Sequence, residues 1–257
     1  MIKMIITDLD QTILRDDGSI SGYTKEMLEE CKKRGILIGI ATARLMTNAI
    51  HLQELLGAEL LICSNGSRVI YKGEDLEGIL IDAGTVHDLT DSLQRLESMD
   101  EILMEGKEQV YINTYRFKPP HPYATARHTD FAGGMRQEAF QIFAGIHDEK
   151  EAQDLIRRFP QCRCLHYRDS VRYAFLAKEV SKKNALLRTA RKLHISMSEI
   201  AGFGDDEGDI EMLSVCGIGV AMGNALESAK KVSDAVTKTN NEDGVAWFIE
   251  RHILNRQ

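Results

Sequence analysis

The sequence predicts an α/β protein: a parallel sheet flanked by helices, with a second domain of antiparallel strands and helices inserted into it. Three observations carry that expectation. Short apolar runs alternate with amphipathic stretches of helical length in the first third of the chain, the same alternation returns in the last third, and between them strand-like segments follow one another without helices.

In the first third, KMIIT, YTKEMLEECKKRG, ILIGIATA, RLMTNAIHLQELLG and ELLICSNG read as strand, helix, strand, helix, strand, a spacing that predicts parallel pairing through right-handed crossovers. Gly35 and Gly57 stand where glycines close helices. The last third, with SKKNALLRTARKLHI, EIAGFGDD, EGDIEMLSVCG, IGVAMGNA and DGVAWFIERHIL, reads as the other half of the same sheet. In the middle, VHDLTDSLQRLESM and DEKEAQDLIRRF read as helices, while EILMEG, EQVYINTY, EAFQIFAGI, CRCLHYR and VRYAFLA read as strands. Strands in direct succession imply an antiparallel sheet with its helices on one face. The expected division is residues 1–83 and 178–257 for the core and 84–177 for the insert. The stretch 116–137 holds three of the four prolines and a Gly-Gly, and reads as a long irregular loop with a functional role.

At 257 residues and 43% hydrophobic content, the chain can build one large domain or two moderate ones. A formal net charge of -7 argues against electrostatic adhesion to nucleic acid or an anionic membrane. Attraction for an anionic ligand must then be local. The five cysteines fit no disulfide framework and suit a reducing cytoplasm. Cys162 and Cys164 read as two positions on one face of a strand. The apolar run in MIKMIITDLD is too short for a signal peptide, and no apolar run reaches the ~18 residues of a membrane span.

In an open parallel sheet, ligands bind at the carboxyl ends of the strands. Polar residues punctuate four predicted strand ends: Asp8 and Asp10, Thr42, Asn65, and Asp205 with Asp209. Taken singly, the aspartates also suit a capped turn and the first turn of a helix. Taken together, converging carboxylates repel one another unless a hard divalent cation joins them, and Mg2+ is the natural candidate. A carboxylate beside Mg2+ can attack phosphorus, and a second carboxylate two residues on can move the protons.

IITDLDQTIL resembles the DxDxT signature of the haloacid dehalogenase-like phosphohydrolases; IATAR resembles their second motif, SKKNAL their lysine motif and GDDEGD their acidic motif, in the family's order. GVAMGNA and NNEDGVAWFIE resemble the Cof-type branch, whose members carry an α/β cap where the insert stands. The resemblance implies a Rossmann-like core with an α+β cap and a cytoplasmic, Mg2+-dependent phosphatase acting on a small phosphorylated metabolite such as a sugar phosphate. It makes Asp8 the nucleophile and a metal ligand, and Asp10 the general acid/base with its carbonyl on the metal. Thr42 and Lys182 then hold the phosphoryl group with the Leu9 backbone N–H; Asp205 completes the metal ligands, Asp209 stands near the metal's waters and Asn65 shapes the pocket. It also implies a cap that opens and closes over the site.

Gln11 and Ala43 stand where the family usually has glycine, Gly208 where it has asparagine, and Lys183 where it has glycine, leaving a second ammonium beside Lys182. A phosphomutase of the same superfamily remains open, with Arg116, Lys118, Arg127 and Arg136 as a basic cap surface, as does a binding protein with weakened catalysis. GFGDDEG carries acids that repel a pyrophosphate, and the alternating Asp205, Glu207 and Asp209 are followed by Ile210 where a calcium loop needs glycine. CSNGSR is one residue short of a cysteine-phosphatase loop, and His121 and His128 read as loop residues.

Overall fold

The computed structural model describes residues 1–115, 122–167 and 170–255. Three strands, β1 (Met4–Thr7), β2 (Leu37–Ala41) and β3 (Leu60–Cys63), alternate with helices α1 (Gly22–Lys33) and α2 (Met46–Leu56). Ser21 caps α1 by accepting the Thr24 N–H at 2.9 Å, and Gly57 ends α2 in the left-handed conformation (φ 58). Two further strands, β4 (Arg68–Tyr71) and β5 (Glu74–Gly78), follow directly. Lys72 (φ 52) and Gly73 (φ 85) supply the two left-handed residues of a tight hairpin, and β4 runs antiparallel to β3. The core sheet is therefore not purely parallel as read from sequence; RVIY is too short and too plain to declare its direction.

The insert begins with α3 (Ala83–Gln94), capped by Asp82, and continues through β6 (Met99–Gly106), β7 (Val110–Ile112), β8 (Arg127–His128), β9 (Ala139–Ile146), α4 (Glu149–Arg158), β10 (Cys162–His166) and β11 (Arg172–Ala177). These strands form one sheet in the order β10-β11-β9-β6-β7-β8, antiparallel except where β8 joins β7 in parallel. The stretch read as a loop thus contributes an edge strand, while 116–121 lie outside the described residues. Val86, Leu89 and Leu93 of α3 and Leu155 of α4 pack with Ile102, Met104, Ile142 and Phe175 in a single apolar cluster, so both helices share one face.

The last third returns with α5 (Lys182–Lys192), β12 (Ile200–Gly204), α6 (Glu207–Leu213), β13 (Ile218–Ala221), α7 (Glu227–Val232), β14 (Ala235–Val236) and α8 (Gly244–Phe248). The core sheet runs β14-β13-β12-β1-β2-β3-β4-β5, so β1 is central and the strand order reverses beside it. Period-2 alternation sends Ile5, Ile38, Ile40 and Phe203 toward α1, α2, α7 and α8, and Met4, Ile6, Leu60 and Ile62 toward α5 and α6. Both faces are covered, which is why β1 reads as an unbroken apolar run.

The chain divides into two compact units, residues 1–77 with 181–257, and residues 78–180. No helix among the described residues is long and apolar enough to cross a membrane.

One glycine sets how closely two core segments meet. Gly66 has φ +102, and a Cβ there would lie 2.4 Å from the Ser181 carbonyl at the start of α5. Gly208, in contrast, has nothing within 4 Å of its Cβ position. Gly66→Ala is expected to destabilise by about 2 kcal/mol or more, and Gly208→Ala to be neutral or stabilising by up to about 1 kcal/mol, read from denaturant midpoints at unchanged slope. Equal effects would contradict the assigned close approach.

Candidate active site

Asp8 follows β1 with extended backbone (φ -68, ψ 168), and its N–H continues the sheet by donating to the Phe203 carbonyl of β12 at 3.0 Å. That bond fixes the exit of β1 beside the exit of β12. Asp205 is the next residue after β12, and Asp209 lies in the first turn of α6, where a carboxylate suits the helix dipole. Asp209 Oδ2 accepts the N–H groups of Asp205 at 3.0 Å and Asp206 at 3.2 Å, folding the acidic loop onto itself. Gly204 permits this approach: a Cβ there would meet Asp209 Cβ at 2.5 Å.

Lys182 is the first residue of α5, behind Ser181, which caps the helix by accepting the Asn184 N–H at 3.0 Å. A cation at a helix N-terminus opposes the dipole and is costly when buried, so something must offset it. Its Nζ lies 2.8 Å from Asp8 Oδ1 and 2.7 Å from Asp209 Oδ1, with the side chain 6% exposed. Lys183 points elsewhere, 3.6 Å from Glu211, so Lys182 is the ammonium of the site.

Three carboxylates share one ammonium, and the imbalance shows in their protonation. Burial raises Asp8 well above the ordinary carboxylate value; Lys182 pulls it down, while Asp209 and Asp205 push it up again. Burial also acts to lower Lys182, but Asp209 and Asp8 outweigh it and hold the ammonium protonated. The upward shifts have different causes: burial raises Asp8, and the neighbouring carboxylates raise Lys182. Asp205 is pushed up to about 7, first by burial and then by Asp209, against the lowering effects of the Thr12 hydrogen bond and Lys182. Ionising it at neutral pH costs on the order of 4 kcal/mol relative to water.

A hard cation would remove that cost, and the donor set fits one. One carboxylate oxygen from each of Asp8, Asp205 and Asp209 lies within 4.8 Å of the others, all three residues being buried. Asp8 spends Oδ1 on Lys182, and Asp205 spends Oδ1 on the Thr12 hydroxyl at 2.6 Å. Their second oxygens make no hydrogen bond among the described residues, whereas both oxygens of Asp209 are engaged by donors of the chain itself. Two open carboxylates beside a third in support suit a divalent ion that keeps part of its water shell.

The other sequence-predicted residues fall around this cluster. Thr42, buried at the end of β2, accepts the Arg44 N–H on Oγ1 at 3.1 Å, which leaves its hydroxyl proton to donate. Asn65 sits in a left-handed turn (φ 57) after β3 and donates its N–H to the Thr42 carbonyl at 3.1 Å. Leu9 is buried and opens the turn after Asp8, its carbonyl accepting the Leu14 N–H at 2.9 Å. The side chain of Asp10 is not brought into the carboxylate cluster. It is 56% exposed and takes both arms of Arg44, at 2.6 and 2.9 Å. Sequence reasoning passed over Arg44 and Thr12 as site residues, although both stand inside quoted motifs, ATAR and DLDQT.

Rival features resolve plainly. Cys63 is buried, with Sγ 3.6 Å from the Arg68 carbonyl, while Arg68 forks onto Asp75 at 2.7 and 2.8 Å. Burial pushes the Cys162 and Cys164 thiols up to about 11 and about 12, and both pack in the insert's apolar cluster. His128 stacks on Tyr115 at 3.7 Å, and Arg127 and Arg136 are exposed. Arg116, Lys118 and His121 lie outside the described residues.

A mostly parallel sheet, covered on both faces, gathers carboxylates around one buried ammonium at its carboxyl edge, in a Rossmann-like core with an inserted α+β domain. The model of the haloacid dehalogenase-like hydrolases matches residues 5–249, and the chain belongs to that family. Among curated relatives it is similar to a phosphoglycolate phosphatase of Methanopyrus kandleri, 28% identical over 98% of this chain and 97% of the relative. It is similar also to the 5-amino-6-(5-phospho-D-ribitylamino)uracil phosphatase YcsE of Bacillus subtilis, 27% identical over 98% and 96%. Among solved structures, the phosphatase BT1666 of Bacteroides thetaiotaomicron superposes with a TM-score of 0.82 at 26% identity, covering 97% of this chain and 94% of that one.

Because the folded value of Asp205 lies above the ordinary 3.8, its protonated form favours the fold without a cation. That contribution is full below about 3.8 and is lost as pH rises through about 7. A cation needs the ionised form. With Mg2+ as the probe, affinity measured by calorimetry is expected to rise at least roughly tenfold per pH unit between about pH 5 and 7. Affinity independent of pH over that window would contradict the assigned ligand.

Proposed function

We propose that the protein is a cytoplasmic, Mg2+-dependent phosphatase that hydrolyses small phosphorylated metabolites, sugar phosphates foremost, through an aspartyl-phosphate on Asp8. The observation that carries this reading is the Lys182 ammonium held 2.8 Å from Asp8 Oδ1 and 2.7 Å from Asp209 Oδ1 at the edge of the sheet. Two relatives are named for phosphatases of small phosphorylated compounds, one of them a phosphoribityl compound, which supports the substrate class. Five free cysteines suit a reducing compartment.

In the first step the Asp8 carboxylate attacks phosphorus, a bond forms from its oxygen, and the bond to the substrate oxygen breaks. Asp10 donates a proton to that departing oxygen. In the second step Asp10 takes a proton from water, the water oxygen bonds phosphorus, and the bond to Asp8 breaks. Lys182 and the Thr42 hydroxyl hold the phosphoryl oxygens throughout. Asp8, Asp205 and the Asp10 carbonyl, with Asp209 in support, would hold Mg2+, which would supply charge neutralisation at the phosphoryl group.

Asp10 must leave Arg44 to act, and a partly exposed ion pair of this kind is worth only about 1 kcal/mol. The pair is therefore a resting arrangement that substrate can break. Catalysis at Asp10 is compatible with the geometry.

Asp8→Asn is expected to abolish phosphate release from a panel of sugar phosphates while the unfolding midpoint is kept or raised, since it removes a buried charge. Asp10→Asn is expected to slow release by about 10²- to 10⁴-fold. Full activity in Asp8→Asn would overturn the nucleophile. Gly208→Asn, for which a Cβ has open space, restores the amide that the family resemblance places beside the acidic loop and the phosphate, and is expected to raise turnover several-fold; unchanged turnover would contradict a role for that amide here.

A further inference from the structure

We propose that Asn224 is a positioning residue for the nucleophile loop, holding Gln11 in a left-handed conformation and thereby fixing Asp10 and Thr12 on either side of it. The inference rests on the reading of Asp8 and Asp10 given above. It gives a role to the two segments, GVAMGNA and NNEDGV, that the proposed chemistry leaves unused.

Gln11 has φ 54 and ψ 13, a region that a residue with a Cβ enters only at a cost in free energy. The reversal matters for the site. It turns the chain between Asp10, whose side chain runs out to Arg44, and Thr12, whose hydroxyl runs in to Asp205 at 2.6 Å. A family glycine would take this conformation unaided, but glutamine needs a tether. Asn224 supplies one: its Nδ2 donates to the Gln11 carbonyl at 2.8 Å, across 213 residues of sequence.

Asn224 is itself anchored from two sides. Its Oδ1 accepts the Asn240 N–H at 3.0 Å. In the same loop, Met222 donates its N–H to the Gly204 carbonyl at 3.1 Å and Leu226 to the Asp205 carbonyl at 2.9 Å. The segment that grips Gln11 is thus bonded to the strand end that presents Asp205. The second segment grips the far side of the loop. Asn240, 4% exposed, donates to the Leu14 carbonyl at 3.1 Å and to Asp16 at 2.9 Å, and Arg15 forks onto Asp243 at 3.2 and 2.7 Å. Among these contacts, that of Asn224 alone falls on the residue between Asp10 and Thr12. Asn224 is also exposed, so its loss should leave the core intact.

The test is a double-mutant cycle on the full chain with Asn224→Ala, Gln11→Gly and the pair, with Asn224→Asp as a second variant that keeps the acceptor and loses the donor. Two readouts are taken: amide exchange of residues 9–14 without substrate, and kcat and KM with p-nitrophenyl phosphate. Asn224→Ala and Asn224→Asp are expected to speed exchange in that segment by about 3- to 10-fold and to lower kcat by a similar factor, with KM and the unfolding midpoint unchanged. In the Gln11→Gly background, which needs no tether, the effect of Asn224→Ala should fall by more than half. Exchange unchanged by either Asn224 variant, or an effect as large in the Gln11→Gly background as beside the native glutamine, overturns the proposal. If the unmodified protein releases no phosphate, the phosphatase reading falls, and the exchange cycle still decides the role of Asn224.

Discussion

The site depends on one buried charge being compensated from two directions. Lys182 enters at the start of α5, where the helix dipole and burial both act against an ammonium, and Asp8 and Asp209 hold it at hydrogen-bond distance. Asp8 comes from the exit of β1 and Asp209 from the first turn of α6. Their shared partner therefore fixes the exit of β1 relative to α6 as well as supplying charge. Removing the ammonium would leave both carboxylates buried and uncompensated, at a cost of about 3–5 kcal/mol, whereas Asp209 still holds Lys182 when the Asp8 charge is removed. The arrangement still carries an excess of carboxylate, which a hard cation would satisfy and which the neutral side chains around it do not.

The rest of the core makes those approaches possible. Covering the sheet on both faces leaves its strand ends for chemistry, and the reversal of strand order beside β1 opens the carboxyl edge where Asp8 and Asp205 emerge. Gly204 admits Asp209, and Gly66 admits the start of α5; at either position a Cβ would collide before the charges could meet. Gln11 is the complementary case. Its left-handed turn lies on the path from Asp10 to Thr12, and one bond from a distant loop meets a residue that does not favour that conformation.

Much of this was legible in the sequence because strand and helix periodicity place residues at element ends. Asp8, Thr42, Asn65 and Asp205 each close an apolar run of four or five residues, and the run lengths sort them onto one edge. The lysine motif favours Lys182 over Lys183, and packing gives the physical reason: adjacent helix residues point about 100° apart, and Lys182 is the one buried between carboxylates. The antiparallel β4 stayed hidden because it returns beside β3 through the short turn 64–67, where Ser64 and Asn65 take left-handed conformations that their side chains do not announce. Arg44 on Asp10 and Asn224 on Gln11 stayed hidden for another reason: these are single contacts between loops, and loops carry no period from which a partner can be read.

The central claim is that the carboxylate at the end of β1 becomes the phosphoryl carrier. Rapid acid quench during turnover of a sugar phosphate, followed by peptide mass mapping, tests it most directly. The expected result is one phosphoryl group on the peptide spanning residues 4–15, located at Asp8 and lost when hydroxylamine is added. Phosphate released with no label on that peptide, or with the label on another residue, would contradict it.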